Sequence, residues 1–406
     1  MNLLLSLRKN IGNSVPYSFR SFFLKHFSFI EKRTEWWLSK DPYRNDPPYS
    51  EYHSPYPFKL GIIKEFWHRH TPYIAACREM KVAYELIDIT SSNWFDNIKN
   101  SSCDGFLIVP SVQLSQWKTL YDERLRIMVN DLGKTIFPSY NELWLYESKR
   151  RMAYWLEAND IPHAKTHVFY DKKEALEYAA TCQYPVVAKT NMGARAAGVH
   201  IFRSSSKLIS YIKEAFGKGI IHDDGDPHDP DWGYVLFQEY IPCRFEWRII
   251  NIGPFFMGHQ KLKKGDFCSG SGMVGWVRPT DKVLDLVRTV LEKGHFQTAD
   301  IDIFEGEDGN LYVNEIQAIF GSIRPYQMLD HGIPGYLTRS ADDQWIFHQA
   351  VVCQNASSNL RVAALIKKLG YDIELPSLPL DVVDQEDIDN SISLSSAQLP
   401  SEKSTE

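Results

Sequence analysis

The chain has 406 residues, 44% hydrophobic and 13% aromatic, which is too apolar for a disordered protein and too long for one ordinary core. Its net charge of −6 excludes a broadly cationic surface, so nucleic-acid binding is not expected. Six cysteines are scattered without a CxxC pair, and no apolar run reaches the roughly 20 residues of a membrane span; both favour a reducing, cytoplasmic setting.

In chain order, residues 1–58 form a basic, aromatic extension and a Pro-rich strap. Arg8, Lys9, Arg20, Lys25, Lys32 and Arg33 stand against Glu31, interleaved with Phe19, Phe22, Phe23, Phe27 and Phe29. Such a stretch suits either an amphipathic helix docking through residues 1–33 on an anionic membrane face or partner, or one packing on its own domain. Five prolines between Asp41 and Pro57 then forbid helix.

From Lys59 to residue 140, apolar runs at Leu60–Ile63, Tyr84–Ile89 and Gly105–Val109 alternate with helical patterns such as Thr71–Ala83. This alternation predicts a small parallel-sheet α/β domain. Asn141–Asn159 reads as one long helix ended by Ile161-Pro162. Beyond Val186, strands and hairpins dominate, with helices near Lys207–Phe216 and Asp281–Gly294. Residues 376–406 lose periodicity and carry a surplus of acids, which predicts a disordered acidic tail.

Three segments carry chemistry. In Val186-Val187-Ala188-Lys189-Thr190-Asn191-Met192-Gly193-Ala194-Arg195-Ala196-Ala197-Gly198, a lysine ends an apolar strand and precedes a small-residue loop whose N–H groups can approach an anion. Val235-Leu236-Phe237-Gln238-Glu239-Tyr240-Ile241-Pro242 is an apolar strand broken by proline. After it, Glu246 and Arg248 share one face, either as nucleotide contacts or as a solvated pair. In the third, an Asp308-Gly309 turn joins Ala299–Phe304 to Leu311–Gln317 as a hairpin. It sets Asp300 and Asp302 on one face of the first strand and Glu315 and Gln317 on one face of the second, converging carboxylates that form an oxygen-rich set suited to Mg²⁺ or Mn²⁺.

In this order the segments resemble the ATP-grasp superfamily, most closely its carboxylate–amine ligases such as the ribosomal-protein glutamylating enzymes and D-alanine:D-alanine ligase. The resemblance spans about residues 59–330. It implies an α/β ATP-grasp fold, two α+β subdomains (141–235 and 236–375) clasping ATP, preceded by the parallel-sheet domain 59–140. By this resemblance Lys149 and Lys189 hold the nucleotide phosphates, and the loop Gly193, Ala194 to Gly198 closes over them. Gln238, Glu239, Tyr240 and Ile241 read adenine, and Glu246 meets ribose. Arg248 and Lys261 are the catalytic cations, and Asp302, Glu315 and Gln317 hold Mg²⁺ or Mn²⁺. The expected activity is ATP-dependent joining of a small-molecule, peptide or glycan carboxylate to an amine. The alternative is an ATP-binding scaffold of the same fold without turnover, regulatory or membrane-associated.

Two positions depart from the pattern. Gly270 stands where asparagine is expected near the phosphates, and Gln317 where the metal-binding asparagine usually sits. Arg324 and Tyr326 follow the metal strand, placed either to clamp a carboxylate or for structural pairing. The loop His222–Asp231 reads as a solvated insertion rather than a metal loop, and His68 and His70 as exposed loop residues beside the first strand.

Overall fold

The computed structural model describes residues 51–193, 196–222, 225–322 and 324–398. The basic stretch 1–33 and the residues Ala194, Asp223 and Asp224 lie outside the described residues.

The first sheet joins β1 (Glu51–Tyr52), β2 (Lys59–Ile63), β3 (Ala83–Ile87), β4 (Gly105–Leu107) and β5 (Ile136–Phe137) in the order β1-β3-β2-β4-β5. The pairs among β2, β3, β4 and β5 are parallel, as the alternating pattern predicts, and β1 adds an antiparallel edge from within the strap. Helices α1 (Thr71–Glu79), α2 (Trp94–Lys99) and α3 (Ser115–Arg126) are the connections. Buried on both faces, the strands read as unbroken apolar runs: Leu60, Ile62 and Ile63 are fully enclosed.

The helix expected over Asn141–Asn159 is two. A capping box, with the Ser139 side chain on the Glu142 N–H and the Glu142 carboxylate returning to the Ser139 N–H, starts α4 (Tyr140–Leu145). Glu147 then turns left-handed (φ 51°), and α5 (Lys149–Ala158) begins anew. That break puts Lys149 at the first turn of a helix rather than in the middle of one.

A second sheet, in the order β6-β9-β7-β8, comprises β6 (Thr166–Phe169), β7 (Val186–Lys189), β8 (Val199–Phe202) and β9 (Val235–Glu239). Helices α6 (Lys172–Thr181) and α7 (Ser205–Ala215) pack on it around Phe237, Val186 and Leu208. Residues 236–239, expected to open the large subdomain, therefore belong to the small one, because β9 pairs with β6 and β7.

The third sheet runs β14-β13-β10-β11-β16-β15, from β10 (Cys243–Ile252), β11 (Phe255–Leu262), β13 (Thr298–Gly306), β14 (Leu311–Gln317), β15 (Leu329–Asp330) and β16 (Ile333–Arg339). Two further strands, β12 (Val274–Gly275) and β17 (Trp345–Gln349), pair with β11 and β16. Its apolar face is covered by α8 (Asp281–Gly294), whose Val283, Leu284, Val287, Val290 and Leu291 fall at helical spacing and are buried. Each such side chain contributes about 1.5–3 kcal/mol on full burial. Helix α9 (Gln354–Lys368) returns to the first domain, where Asn355 and Asn359 both donate to Glu79.

The expected disordered tail is ordered as far as it is described. A 3₁₀ turn (Leu380–Val382) leads into α10 (Gln385–Gln398). Val383 is buried with Trp276, Tyr326 and Leu329, against which Ile388 also packs. Sequence periodicity missed this segment because its few apolar residues meet a small separate cluster rather than the main core.

Candidate functional site

The third sheet places polar side chains on a cross-strand grid. Glu246 pairs opposite Lys261, Arg248 opposite His259 and Asp302, Asp302 opposite Glu315, and Asp300 opposite Gln317. Strand alternation keeps each i, i+2 pair on one face, so the carboxylates converge as the hairpin pattern predicts.

Converging carboxylates repel unless cations intervene. Arg248 Nε lies 3.1 Å from Asp300 Oδ2 and 3.2 Å from Asp302 Oδ1, while its Nη2 donates to Asp302 Oδ2 at 3.3 Å. Lys261 Nζ bonds Glu246 Oε1 at 2.5 Å and also Asp302. Burial opposes ionisation of Asp302, but Arg248 and Lys261 outweigh it and hold that carboxyl below the usual carboxylate range. Asp300 has less help: burial pushes its carboxyl up to about 7 despite Arg248. Burial, with Asp302 nearby, also raises Glu246.

Glu246, expected at a ribose, is instead enclosed in this network. Its Oε1 accepts from Lys261 and Ser269, and its Oε2 accepts from Asn314 at 3.0 Å. Asn314 also accepts from Lys189 Nζ at 2.8 Å. Simple alternation would send Asn314 to the face opposite Glu315. A bulge on β14, where Val313 pairs with Ile303 and Glu315 with Asp302, leaves Asn314 as the extra residue. Both neighbours therefore reach the site, and no local sequence signal marks that bulge.

Lys149 and Lys189 come together behind Glu315. Lys149 Nζ is 3.3 Å from Glu315 Oε1 and donates to the Gly193 carbonyl at 2.9 Å. Burial opposes its charge, yet Glu315 and Glu147 keep its pKa raised. Burial wins at Lys189, whose pKa falls to about 8 although Glu315 opposes the drop.

The loop between β7 and β8 is tied to the start of α5. Gly193 N–H donates to Glu147 Oε2 at 3.1 Å, and Asn191 Oδ1 accepts from Arg150 N–H at 3.1 Å. Asp231 accepts from Asn191 N–H at 2.6 Å and Asp229 accepts from Ser115, so the acidic 222–231 loop is docked at these two points rather than solvated throughout. Gly198 is required by contact: a Cβ there would meet Thr190 Oγ1 at 1.8 Å.

A cavity of about 1680 Å³ brings together Gly193, Arg248, Lys261, Asp302, Glu315 and Gln317. Its lining does not include Lys149, Lys189, Glu246 or the segment Gln238–Ile241. Gln238 is buried and its Nε2 donates to Thr166 Oγ1 at 3.0 Å, while Glu239 is exposed. Sequence reasoning missed the outer walls: Trp67, Arg69 and Trp117 from the first domain, and Glu386, Asp387 and Asn390 from α10. Arg324 lines the same cavity and pairs with Asp384 and Asp387, while the Tyr326 hydroxyl donates to Asp387 Oδ2 at 2.5 Å. His68 and His70 are buried, His70 Nδ1 accepting from the Glu65 N–H at 3.0 Å.

Among the described residues, no group of three His, Cys, Asp or Glu side chains forms a ready metal cluster. The donors adjoining the grid nonetheless suit a hard cation. Gln317 Oε1 and the buried Asp300 Oδ1 accept no hydrogen bond, Asp300 Oδ2 is ion-paired with Arg248, and the two residues are cross-strand partners.

No protein-family model and no curated protein matches the chain. Solved structures do. The D-alanyl-alanine synthetase A of Vibrio cholerae O1 biovar eltor superposes with a TM-score of 0.50 at 13% identity, over 77% of this chain and 98% of that one. The N5-carboxyaminoimidazole synthetase of Staphylococcus aureus gives 0.47 at 14% identity, over 81% and 82%. An ATP-grasp RimK domain protein of Sphaerobacter thermophilus gives 0.46 at 14% identity, over 64% and 90%. The chain has the ATP-grasp fold.

Proposed function

We propose that the protein is an ATP-dependent carboxylate–amine ligase. The observation that carries this reading is one cavity in which the small-residue loop at Gly193 faces the Arg248–Lys261–Asp302 network, with Lys149 and Lys189 beside it. That a D-alanyl-alanine synthetase shares the fold is in keeping with it.

A carboxylate is a poor electrophile at neutral pH, so the reaction first makes it an acyl phosphate. A carboxylate oxygen bonds the γ-phosphorus as the bond to the β,γ-bridging oxygen breaks, and ADP departs. The amine nitrogen then attacks the acyl carbon, phosphate leaves with the former bond pair, and the nitrogen loses a proton. The protein's task is to position anions and offset their charge. Lys149 and Lys189 hold the phosphates under the Gly193, Ala194 to Gly198 loop, and Gln238, Glu239, Tyr240 and Ile241 supply the adenine edge. Arg248 and Lys261 are the catalytic cations at the transferring phosphoryl group. Their neighbours hold both firmly protonated, burial being outweighed by Asp300 and Asp302 at Arg248, and by Asp302 and Glu246 at Lys261. Asp302, Glu315 and Gln317, with Asp300, would hold Mg²⁺ or Mn²⁺, which when bound supplies further neutralisation of phosphate charge.

One observation favours a second reading, ATP binding without turnover. Asp302 and Glu315 already face protein cations, and Gln317 replaces a shorter amide. A single assay separates the two: full-length protein, ATP, Mg²⁺ and hydroxylamine, with amino acids, peptides and uronic acids offered as carboxylates. Carboxylate-dependent ADP release with hydroxamate formation is the ligase result. Calorimetric ATP binding with no ADP release in the presence of any of these carboxylates is the other.

A further inference from the structure

One row of side chains crosses the third sheet through the ion network, and it does not stop at Arg248. In cross-strand order it reads Glu315, Asp302, Arg248 and His259, from β14 through β13 and β10 to β11. Beyond His259 comes Trp276, whose ring centre lies 5.0 Å from that of the imidazole and whose backbone N–H donates to Asn390 of α10 at 3.0 Å. His259 therefore stands between Arg248 and the C-terminal helix. His259, Trp276, Glu386 and Asn390 all line the large cavity.

His259 is only 7% exposed, and its Nδ1 stands 3.1 Å from the Gln327 carbonyl. A carbonyl can only accept, so Nδ1 carries the proton, and in a neutral ring Nε2 then presents a lone pair. Burial, with Arg248 close by, keeps the imidazole neutral by lowering its pKa to about 4. Among the described residues nothing donates to Nε2, the polar ring atom left to face the cavity. A buried acceptor without a donor calls for an explanation, and a ligand donor supplies one. A lone pair accepts from N–H or O–H and repels phosphate and carboxylate, so this end of the cavity is no extension of the phosphate site. Glu386 decides between the two donors. It is an exposed carboxylate with no ion pair among the described residues, Arg324 being engaged by Asp384 and Asp387, and its charge favours a cation.

We propose that the α10 end of the cavity is a binding site for a primary amine, held as its ammonium, which donates an N–H to His259 Nε2 and has its charge balanced by Glu386. That the bound amine is the acyl acceptor rests on the ligase reading; that an amine binds there does not. The cross-strand row gives the acceptor role its geometry. Arg248 serves the transferring phosphoryl group, and the next position along the sheet belongs to His259. The charges of Arg248 and Lys261 repel an ammonium from the phosphoryl position itself, which leaves it the side of His259 that α10 closes. His259 thus positions the nucleophile, while its ring keeps anions out.

The test reads the imidazole directly. Full-length protein with isotope-labelled histidine is observed by long-range proton–nitrogen correlation NMR at neutral pH, without nucleotide. The His259 signals are those missing from His259→Phe, or from His259→Gln should the first fail to fold. The expected Nε2 is unprotonated, and its resonance moves saturably with n-butylamine, less with n-butanol and not with pentanoate. In Glu386→Gln the half-saturating butylamine concentration should rise about threefold, as befits an exposed charge pair, with that for butanol unchanged. A protonated Nε2, no shift with butylamine, an equal shift with pentanoate, or a Glu386→Gln response identical to wild type overturns the proposal. A butylamine shift with no hydroxamate from any carboxylate would keep the amine site and sink the ligase. Hydroxamate formation without that shift would do the reverse.

Discussion

Lys189 Nζ lies 2.8 Å from Asn314 Oδ1, a contact that joins the end of a small-sheet strand to the bulged strand of the large sheet. The amide carries no charge to hold the ammonium, and enclosure lowers the Lys189 pKa from 10.5 to about 8. The unfolded chain therefore binds that proton more tightly than the folded one. This cost is full below pH 8 and is lifted as pH rises toward 10.5, so stability gains from Lys189 in that window. Lys189→Met is expected to flatten the rise, measured as urea unfolding at pH 7.5 and 10. A second signature is proton uptake on ATP binding near pH 8, because phosphate restores the charged form. Calorimetry in two buffers of different ionisation enthalpy detects it, and an enthalpy independent of buffer would count against Lys189 as a phosphate contact.

Lys261 is the ammonium between two carboxylates that are almost wholly enclosed, Glu246 at 1% and Asp302 at 2% exposure. Removing one member of a buried ion group leaves the others uncompensated, at roughly 3–5 kcal/mol. Lys261→Met should therefore lose about that much in urea unfolding at pH 7, and Lys261→Arg much less. The acid limb adds a sign. Asp302 is depressed below its ordinary 3.8, so its contribution is present above that value and is lost only as pH falls through the folded pKa. In Lys261→Met the onset of acid unfolding should move to higher pH. An unchanged onset would show that Arg248 alone sets the Asp302 carboxyl.

What the sequence made legible was what short-range periodicity encodes. The Asp308-Gly309 turn joins β13 and β14 as read, and alternation along those strands sets Asp302 opposite Glu315. Illegible features depend on register or on long-range closure. Asn314 enters the network only because of a bulge, and Asp300 stands apart from Asp302 because both meet Arg248 but only Asp302 also bonds Lys261. The left-handed Glu147 that splits the expected long helix carries no glycine to announce it.

Gly198 offers a test of the loop by contact alone. A Cβ at that position would meet Thr190 Oγ1 at 1.8 Å, and the same hydroxyl donates to the Met192 carbonyl at 2.7 Å, within the loop. Gly198→Ala should cost roughly 1–3 kcal/mol, as overpacking does. Thr190→Ala, which removes the clashing oxygen, should recover part of that loss in the double variant. A double-mutant cycle with no coupling would mean that the loop relieves the clash by moving its backbone.

The C-terminal helix gives the last prediction, opposite in sign to what composition alone suggests. Residues from Asp381 onward carry seven acids and one lysine, and ordering a chain costs about 1–2 kcal/mol per residue in backbone entropy. Something specific must offset that. Tyr326 donates to Asp387, Asn390 accepts from the Trp276 N–H at 3.0 Å, and Ser391 accepts from the Gly332 N–H at 3.0 Å. Val383 is buried among Trp276, Tyr326 and Val351, and Arg324 pairs with Asp384 and Asp387. The exposed ion pairs contribute little, so burial and the hydrogen bond to a charged acceptor dominate, the latter at about 1.5–3 kcal/mol. Truncation after Pro379 exposes Trp276 and Tyr326 and strips one wall from the cavity, and should lower the melting temperature by well over 2 °C. Tyr326→Phe keeps the ring and loses only the hydroxyl's bonds to Asp387 and the Asp384 N–H, so its drop should be a fraction of the truncation's. Equal melting temperatures for the truncated and full chains would show that α10 contributes nothing to the fold.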